Sequence, residues 1–528
     1  MPAVFKFKRN PLYAKRGMVA TTQPLASQAG LEVLSRGGNA IDAAIATAAA
    51  LTVVEPTSNG LGGDAFALVW FNGKLHGLNA SGPAPLLASI EELHSRGFTT
   101  MPNHGWEPVT VPGIPAAWAE LSAKFGRLTL KEVLQAAIRY AKEGFPLSLT
   151  IAGEWSRIFQ HYPKVLKGEL FAPLFETFSP VPKAGQMWSS VEHARTLESI
   201  GESNAEEFYR GEIATKIDTF SKKQGGLLRK EDLERFRCEW VSPIGTSYRG
   251  YEVWEIPPNT QGLSALMALN ILEGLPLMDH DSEECYHHSI EAIKLAMVDS
   301  QHYVSDINYM QGTLGALLSK EYGTERRSLI KEHAQEPLPG KIQKGGTVYL
   351  ATADSEGNMV SFIQSNYEDF GSGIVIPGTG IALQNRGHNF SLDPHHVNAL
   401  APGKKTFHTI IPGFLTKGGI PIGPFGVMGG FNQPQGHVQV LRNTIERLMD
   451  PQAALDAPRW RYLQGKQVIV EEDFPIEIVE SLLKRGHEIR VSSQKSLFGR
   501  GQIIWRNPLS GVLVGGSESR ADGIVATM

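Results

Sequence analysis

The sequence has 528 residues, of which 42% are hydrophobic and 20% are charged, and its formal net charge is -4. A chain of this length and composition can bury one large core or two ordinary ones, and its slight negative charge provides no basic field for nucleic acid or anionic lipid. Two cysteines, Cys238 and Cys285, are too few for a disulfide framework, so we expect two reduced thiols.

The N-terminal segment, residues 1–16, is basic but lacks an apolar run of signal-peptide length. No stretch of eighteen or more apolar residues follows it. The sequence therefore predicts a cytoplasmic protein with no membrane or nucleic-acid partner, and it leaves open the export of a longer precursor.

Two helices are predicted next, over residues 24–35 and 40–53, with Asn39 as the cap of the second. The glycine-rich residues 60–63 follow a helix and precede a strand, which is the reverse of the order that a phosphate-binding loop needs. Asn72-Gly73 predicts a tight turn between strands 65–71 and 74–80.

The middle of the chain is predicted to be mostly helical, over residues 114–152, 190–236, 262–272 and 282–303, with a strand at 251–255. His287 and His288 lie close to Cys285 and raise the question of a metal. Adjacent residues face different sides of a helix, and we find no further ligand at metal-binding spacing. The sequence therefore predicts no metal site.

An abrupt change of pattern occurs at Thr347. Residues 333–346 are polar and rich in Pro and Gly, which predicts an exposed, cleavable loop. Residues 348–353 and 359–363 then read as two strands joined by a turn. A Thr hydroxyl becomes a nucleophile when the residue's own free α-amine takes its proton, and that amine exists only after the Gly346–Thr347 bond breaks. Taken alone, this stretch favours the alternative, an ordinary loop that enters an ordinary hairpin.

The density of predicted strands rises after Thr347. Strands are predicted at residues 374–376, 381–384, 410–415, 426–428, 468–470, 488–491 and 501–506, and a helix is predicted at 477–485. Strands in this order fit two packed sheets with helices outside them.

Residues 370–381 (FGSGIVIPGTGI) and 428–430 (MGG), together with Thr347, resemble the γ-glutamyltranspeptidase family of self-cleaving N-terminal nucleophile hydrolases. Further matching stretches span the chain in order: residues 18–56, 111–113, 144–146, 248–251 and 270–274. The resemblance implies an α+β fold, the four-layer αββα sandwich. It also implies that residues 1–346 and 347–528 become the large and small subunits of one intertwined domain and stay associated.

The resemblance assigns catalytic roles. Thr347 is the nucleophile, and its α-amine is the base. Ser365, eighteen positions later, matches a hydroxyl residue that bonds the nucleophile's hydroxyl. Gly429 and Gly430 match paired glycines whose backbone N–H groups stabilise the oxyanion. No metal or organic cofactor is implied.

The sequence departs from the family where the substrate's amino acid group is held. Ser81 replaces an Arg that binds the substrate α-carboxylate. His408 and Thr409 stand in place of a serine pair, and Arg386 and Asn389 in place of a Gln and an Asp that bind the α-amine. Residues 390–405 are also too few for the lid loop of some members, so the sequence predicts an open pocket with altered charges.

Three functions compete at this point. The first is hydrolysis or transfer of γ-glutamyl groups from small amides such as glutathione, to water or to an amine. The second is removal of glutaryl or related acyl groups, as in the cephalosporin acylases of the family. The third is an uncleaved, inactive binding protein, which the joint presence of Thr347, Ser365 and the Gly429–Gly430 pair argues against.

Overall fold

The computed structural model describes residues 9–276, 282–310, 312–337 and 346–528, with Gly346 and Thr347 described by their backbone alone. The predicted loop at 333–346 therefore lies largely outside the described residues. Within the described ranges the fold is α+β, with two large sheets between layers of helices.

The first large sheet is built around the hairpin that follows the polar linker. Its strands are β2 (Gly17–Thr21), β3 (Asp64–Phe71), β4 (Lys74–Ala80), β7 (Glu239–Val241), β10 (Gly346–Asp354), β11 (Met359–Tyr367) and β21 (Ile524–Thr527). In the described part of the chain these seven strands have the spatial order β21-β2-β10-β11-β3-β4-β7, and all neighbours are antiparallel. Strand β10 therefore lies inside the sheet and carries the start of the C-terminal segment into the core.

The second large sheet is also antiparallel. Its strands are β1 (Leu12–Ala14), β8 (Ile244–Tyr248), β9 (Tyr251–Glu255), β14 (Gly413–Lys417), β15 (Ile420–Met428), β19 (Arg500–Arg506) and β20 (Leu513–Ser517). Their spatial order among the described residues is β1-β20-β19-β15-β14-β9-β8. Small sheets are formed by β5 (Phe145–Pro146) with β6 (Met187–Trp188), by β12 (Val375–Ile376) with β13 (Ile381–Ala382), and by β16 (Trp460–Tyr462), β17 (Gln467–Glu471) and β18 (Glu488–Ser492).

Side-chain alternation along β10 shows how the layers stack. Tyr349 and Ala351 pack with Phe414 of the second sheet in a core between the two sheets. Val348 and Leu350 point the opposite way, into a core shared with the N-terminal helices. Because successive side chains of a strand face opposite sides, both faces of the sheet are buried. The order of layers is helix, sheet, sheet, helix.

The helices of the N-terminal part are α1 (Pro24–Ser35), α2 (Ala40–Val54), α3 (Ile90–Ser95), α4 (Ile114–Phe125), α5 (Leu130–Val133), α6 (Gln135–Glu143), α7 (Leu149–Val165), α8 (Ala172–Phe178), α9 (Val191–Ser203), α10 (Glu206–Tyr209), α11 (Glu212–Lys223) and α12 (Lys230–Arg235). Most of them pack on the first sheet. Helix α2 is buried along its whole length, and Asn39 caps it in a capping box with Asp42, as predicted.

The remaining helices are α13 (Gly262–Glu273), α14 (Glu283–Tyr303), α15 (Thr313–Leu317), α16 (Lys320–Arg327), α17 (Gln433–Ile445), α18 (Pro451–Asp456) and α19 (Ile476–Lys484). They supply the outer layer on the second sheet. Short 3-10 turns are Glu169–Phe171, Ile307–Tyr309, Arg386–Asn389, Gly430–Asn432 and Lys495–Phe498. Within the described ranges, no helix is both long enough and apolar enough to cross a bilayer.

One hairpin of the second sheet is displaced from its predicted position, and no element is predicted from the sequence at α17, α18, β20 or β21. The strands predicted at 410–415 and 426–428 are observed at Gly413–Lys417 and Ile420–Met428, because the turn lies at Gly418 and Gly419, both with positive φ. Pro421 and Pro424 hid the first half of β15 from a pattern search, since proline is unusual within a strand. Cys238 and Cys285 are not joined in a disulfide, in agreement with the prediction of two thiols.

Candidate active site

The start of β10 lies against the end of β11. Gly346 is opposite Tyr367 and Val348 is opposite Gln364, so the register shifts by one residue at Thr347. The Thr347 hydroxyl, which the sequence predicts to be the nucleophile, lies outside the described residues. The backbone of Thr347 nevertheless places the candidate site at this end of the first sheet.

Ser365 is buried near the end of β11, opposite Asp64 of β3. Its Oγ accepts a hydrogen bond from the backbone N–H of Tyr367 at 2.8 Å. Tyr367 has a φ of 80°, a conformation that is costly for a bulky residue. The Ser365 side chain thus supports the sharp exit of the chain from β11, two residues from the position opposite Gly346.

Strand β15 ends at Met428, and Gly429 (φ 140°) and Gly430 (φ 59°) turn the chain into α17. Residues with a Cβ rarely adopt these φ values, which is a local reason for two glycines here. Among the hydrogen bonds of the described residues, neither glycine N–H has an acceptor. Gln261 fixes the turn from the other side, because its Nε2 donates to the Gly430 carbonyl at 2.8 Å.

Arg386 is fully buried at the first position of a 3-10 turn. Its Nη1 donates to Thr409 Oγ1 at 2.7 Å, and its guanidinium carbon lies 4.3 Å from the centroid of the Tyr367 ring. Nε and Nη2 have no hydrogen-bond partner among the described residues. Burial lowers the pKa of Arg386 to about 10, so it remains charged at neutral pH. A buried cation with two unused donors is suited to a carboxylate.

His408 and Asp64 form a second buried pair, with His408 Nε2 3.1 Å from Asp64 Oδ2. Burial and the charge of Arg386 lower the pKa of His408 well below its usual value, so the ring is neutral. Its Nδ1 faces the backbone N–H of Ile410 and must accept, which leaves the proton on Nε2 for Asp64. Burial raises the pKa of Asp64 to about 7, although a hydrogen bond from Gln384 and the charge of Arg386 oppose this rise.

The other predicted substrate-binding residues are held by polar partners in the same region. Ser81 Oγ donates to Asn79 Oδ1 at 2.7 Å. Asn389 accepts from the Tyr367 hydroxyl at 2.7 Å and donates to the Phe407 carbonyl at 3.1 Å. These contacts leave Arg386 as the one predicted pocket residue with two unused buried donors in the part of the chain described.

A chain of contacts joins the predicted residues into one site. Ser365 contacts Tyr367, Tyr367 stacks on Arg386, and Arg386 bonds Thr409. Gln261 then donates to the carbonyls of both Thr409 and Gly430. This network includes residues that are 169 positions apart in the chain, namely Gln261 and Gly430.

Sequence reasoning missed several members of this network, namely Asp64, Asn259, Gln261, Tyr367 and Gln384. Asp64 directly follows the glycine-rich residues 60–63 and is the first residue of β3. Those glycines permit close packing, because a Cβ on Gly63 would lie 2.4 Å from the Ser365 carbonyl oxygen. The sequence signal for Asp64 is an acidic residue that directly follows a run of glycines and begins a buried strand.

Two buried amide side chains in this region lack partners. Asn366 follows Ser365, and Asn432 lies two residues after Gly430. Neither the oxygen nor the nitrogen of either amide has a hydrogen-bond partner among the described residues. Buried polar groups are normally satisfied, so these two amides are unusual features of the region around Ser365 and Gly430.

A group of potential metal ligands was also missed, on the far side of the second sheet. Glu291 lies one turn after His287, and His487 joins them, with ligand atoms within 4.8 Å of one another. His287 Nε2 donates to the Lys331 carbonyl, and its Nδ1 lies 2.8 Å from His487 Nε2. Lys294 Nζ lies 2.6 Å from Glu291 Oε1. The Lys294 ammonium therefore neutralises the Glu291 carboxylate, while His487 Nδ1 has no hydrogen-bond partner among the described residues.

Two antiparallel sheets between helical layers, with candidate residues gathered at the start of an inner strand, define the αββα class of N-terminal nucleophile hydrolases. Over residues 26–528 the sequence matches the profile of the Gamma-glutamyltranspeptidase family, and the chain belongs to that family of enzymes.

Three relatives illustrate the range of the family. A crystal structure described as cephalosporin acylase from Bacillus halodurans is 58% identical, with a TM-score of 0.97 over 99% of this chain and 98% of that chain. The glutathione hydrolase-like YwrD proenzyme of Bacillus subtilis is 35% identical over 96% of this chain and 97% of the relative. The oxamate amidohydrolase proenzyme of Klebsiella pneumoniae is 32% identical over 97% and 98%.

Proposed function

We propose that this chain is a self-processing amide hydrolase that prefers acyl groups ending in a free carboxylate, such as glutaryl. Cleavage between Gly346 and Thr347 yields a large subunit, residues 1–346, and a small subunit, residues 347–528. The two remain together because β10 of the small subunit is hydrogen-bonded to β2 of the large one.

The reaction follows from the roles of the residues. The Thr347 hydroxyl attacks the amide carbonyl while the Thr347 α-amine takes the proton and returns it to the leaving amine. The N–H groups of Gly429 and Gly430 stabilise the oxyanion. Ser365 orients the nucleophile. Water then attacks the acyl-enzyme and releases the acid, and another amine can replace water as the acceptor.

Arg386 is the observation that carries the preference for a carboxylate. Its guanidinium is buried and has two donors without partners, and it is linked through Thr409 and Gln261 to the Gly430 turn. A carboxylate at the end of the acyl chain can accept from both free nitrogens, in the paired geometry that arginine favours. The 58% identity to a cephalosporin acylase supports the same preference.

A γ-glutamyl group is the second candidate, supported by the resemblance to a glutathione hydrolase-like proenzyme. Its α-ammonium would lie close to the Arg386 charge and would need a carboxylate partner. Asp64 is the buried carboxylate nearest in this network, and it already accepts from Gly82, Gln384 and His408. This arrangement reverses the order of the first two functions considered from the sequence.

The test uses processed wild-type enzyme and three 4-nitroanilides that differ only in the acyl group: glutaryl, γ-glutamyl and butyryl. Each charge-assisted hydrogen bond to a carboxylate contributes roughly 1.5 to 3 kcal/mol, so glutaryl should exceed butyryl by at least about tenfold in kcat/KM. The γ-glutamyl compound should be no better than the glutaryl compound. A higher kcat/KM for the γ-glutamyl compound than for the glutaryl compound would refute the proposed acyl specificity.

A further inference from the structure

The turn at the end of β15, which contains Gly429, packs on a second segment of the chain, residues 498–501. A Cβ on Gly429 would lie only 3.2 Å from Gly499 Cα, so the two backbones are in contact. A Cβ on Gly499 would in turn lie 2.6 Å from the Met428 carbonyl oxygen. Next along the chain, Arg500 pairs with Met428 at the start of β19. The position of the turn therefore depends on the position of this second segment.

Two buried side chains of opposite charge hold that segment in place. Arg459 Nη1 donates to the carbonyls of Phe498 at 3.1 Å and of Gly499 at 3.2 Å. Glu518 Oε2 accepts from the backbone N–H of Gly501 at 2.9 Å, and the Glu518 N–H donates to the Gly501 carbonyl at 3.1 Å. Arg459 Nη2 and Glu518 Oε2 are 2.7 Å apart. One ion pair thus holds both ends of the segment.

The ion pair belongs to a larger buried group of charges. Arg520 donates to Glu518 Oε1 at 2.6 Å through Nη1 and to Glu471 Oε1 at 2.7 Å through Nε. The Arg520 guanidinium also donates to two carbonyls around the end of α18. Among the described hydrogen bonds of Arg520, none reaches residues 498–501. Arg459 and Arg520 therefore share the same carboxylate partner but hold different parts of the backbone.

Stability alone is a weak reason to bury such a group of charges. Each ion loses its hydration, and apolar residues of similar volume often stabilise a core as well or better. Burial raises the pKa of Glu518, but the charges of Arg459 and Arg520 outweigh this effect and lower the pKa below its usual value. The carboxylate is therefore ionised at neutral pH. What the ions supply, and apolar side chains cannot, is strong hydrogen bonding to chosen backbone groups.

Building on the proposed function, in which the N–H groups of Gly429 and Gly430 bind the oxyanion, we propose that Arg459 is a positioning residue for these donors. It holds residues 498–501 against the Gly429–Gly430 turn. A donor stabilises the oxyanion only when it lies about 2.7 to 3.1 Å from the place where the charge develops, so a small shift of the turn weakens catalysis. Arg520 stabilises the same group of charges without holding the turn.

The first test compares Arg459→Met with Arg520→Met in the processed enzyme. Each substitution removes one buried guanidinium from the same group of charges, so both should lower the free energy of unfolding. Only Arg459→Met should lower kcat, by at least about tenfold, with KM changed by less than about twofold. Arg520→Met should keep kcat within about twofold of the wild type. The substrate is whichever of the glutaryl and butyryl 4-nitroanilides the wild type hydrolyses faster.

Lysine variants decide the question if a methionine variant does not fold. Arg459→Lys keeps the charge, but a single ammonium lacks the planar set of donors that bonds two carbonyls and Glu518 together. This variant should lower kcat by about threefold to tenfold, a smaller loss than in Arg459→Met. Arg520→Lys should leave kcat unchanged.

An inhibitor that mimics the oxyanion tests the geometry directly. In 4-boronobutanoic acid, boron replaces the glutaryl carbonyl carbon, and in propylboronic acid it replaces that of butyryl. The Thr347 oxygen adds to boron while the α-amine takes the hydroxyl proton, which gives a tetrahedral boronate anion and an ammonium. Arg459→Met should weaken the better boronate at least about tenfold, and Arg520→Met should not. The corresponding carboxylic acid, which forms no such anion, should bind all three proteins equally.

The outcomes separate the two proposals. If neither boronate inhibits the wild type, the proposed nucleophile and oxyanion site are wrong, and the role of Arg459 falls with them. If a boronate does inhibit the wild type, but the Arg459 and Arg520 variants have equal kcat values or equal boronate affinities, the positioning role of Arg459 is wrong and the proposed function stands.

Discussion

Replacement of Arg386 by Gln removes the buried charge while keeping a polar side chain of similar length. In the wild type, Nε and Nη2 are free to bind a substrate carboxylate, and Nη1 is held by Thr409. Two charge-assisted bonds would contribute roughly 3 to 6 kcal/mol if both were lost outright. Glutamine can restore one neutral bond, so we expect a loss of about 2 to 4 kcal/mol, or about 30-fold to 1000-fold in kcat/KM.

The assay compares glutaryl and butyryl 4-nitroanilides with the processed variant. The loss should fall on the glutaryl compound, and the butyryl compound should change by less than about threefold, because it has no carboxylate to lose. Arg386→Lys keeps the charge without the paired geometry and should be intermediate.

Arg461 provides the matched control for this substitution. It is also buried, and burial lowers its pKa to about 10, but it lies in β16 and donates to the Leu497 carbonyl. Arg461→Gln should leave the glutaryl-to-butyryl ratio unchanged. An equal loss on both substrates in Arg386→Gln, or no loss on either, would refute the role given to the guanidinium.

Three further predictions concern the turn, the buried acid and the histidine pair. Gly430→Val should lower turnover at least about a hundredfold. The control Gly418→Val, at a similar φ of 57° in an exposed turn, should cost only about 1 to 2 kcal/mol of unfolding free energy. Equal activity in a folded, processed Gly430→Val enzyme would show that this turn is not part of the oxyanion site. Asp64→Asn places the NH₂ donor of Asn against the N–H donor of His408. This variant should lower the free energy of unfolding in urea by about 1 to 3 kcal/mol. Unchanged stability would contradict the tautomer assigned to His408. Burial and the nearby charges of His287 and Lys294 lower the pKa of His487 to about 3, so the unfolded state binds more protons below pH 6.5 and stability falls on acidification. Between pH 6.5 and pH 5 the loss of unfolding free energy from His487 is about 2 kcal/mol. The variant His487→Asn should abolish this loss, whereas the control His333→Asn, at an exposed position, should keep it. Identical profiles of stability against pH for the wild type and both variants would refute the prediction.

Local chemistry made much of the fold predictable. Asn72 and Gly73 both have positive φ and form the expected turn between β3 and β4. Alternating apolar residues on β10 and β11 gave the central hairpin its register. By contrast, Pro421 and Pro424 interrupt the strand pattern of β15. Whether a proline is tolerated in a strand depends on whether its position must donate a hydrogen bond to a neighbouring strand, and the sequence alone does not show this.

The network around the candidate site was less predictable, because it depends on long-range pairing of polar residues. Asp64 and His408 are 344 positions apart, and nothing in the local pattern of either residue indicates the other. The orientation of Arg386 was also open from sequence, since an isolated arginine normally reaches solvent. Its burial follows from the Tyr367 ring and the Thr409 hydroxyl, which only the tertiary structure brings to it.

The most direct test of the account is the intact mass and N-terminal sequence of the purified wild-type protein and of Thr347→Ala, each incubated briefly with the glutaryl anilide and quenched in acid. The account predicts that the wild type is two fragments, residues 1–346 and 347–528, with Thr347 as the new N terminus and one acyl group trapped on the smaller fragment. Thr347→Ala should remain one inactive chain without a label. Amide hydrolysis by a wild-type chain that is still uncut at Gly346, or an acyl label on another residue, would contradict it.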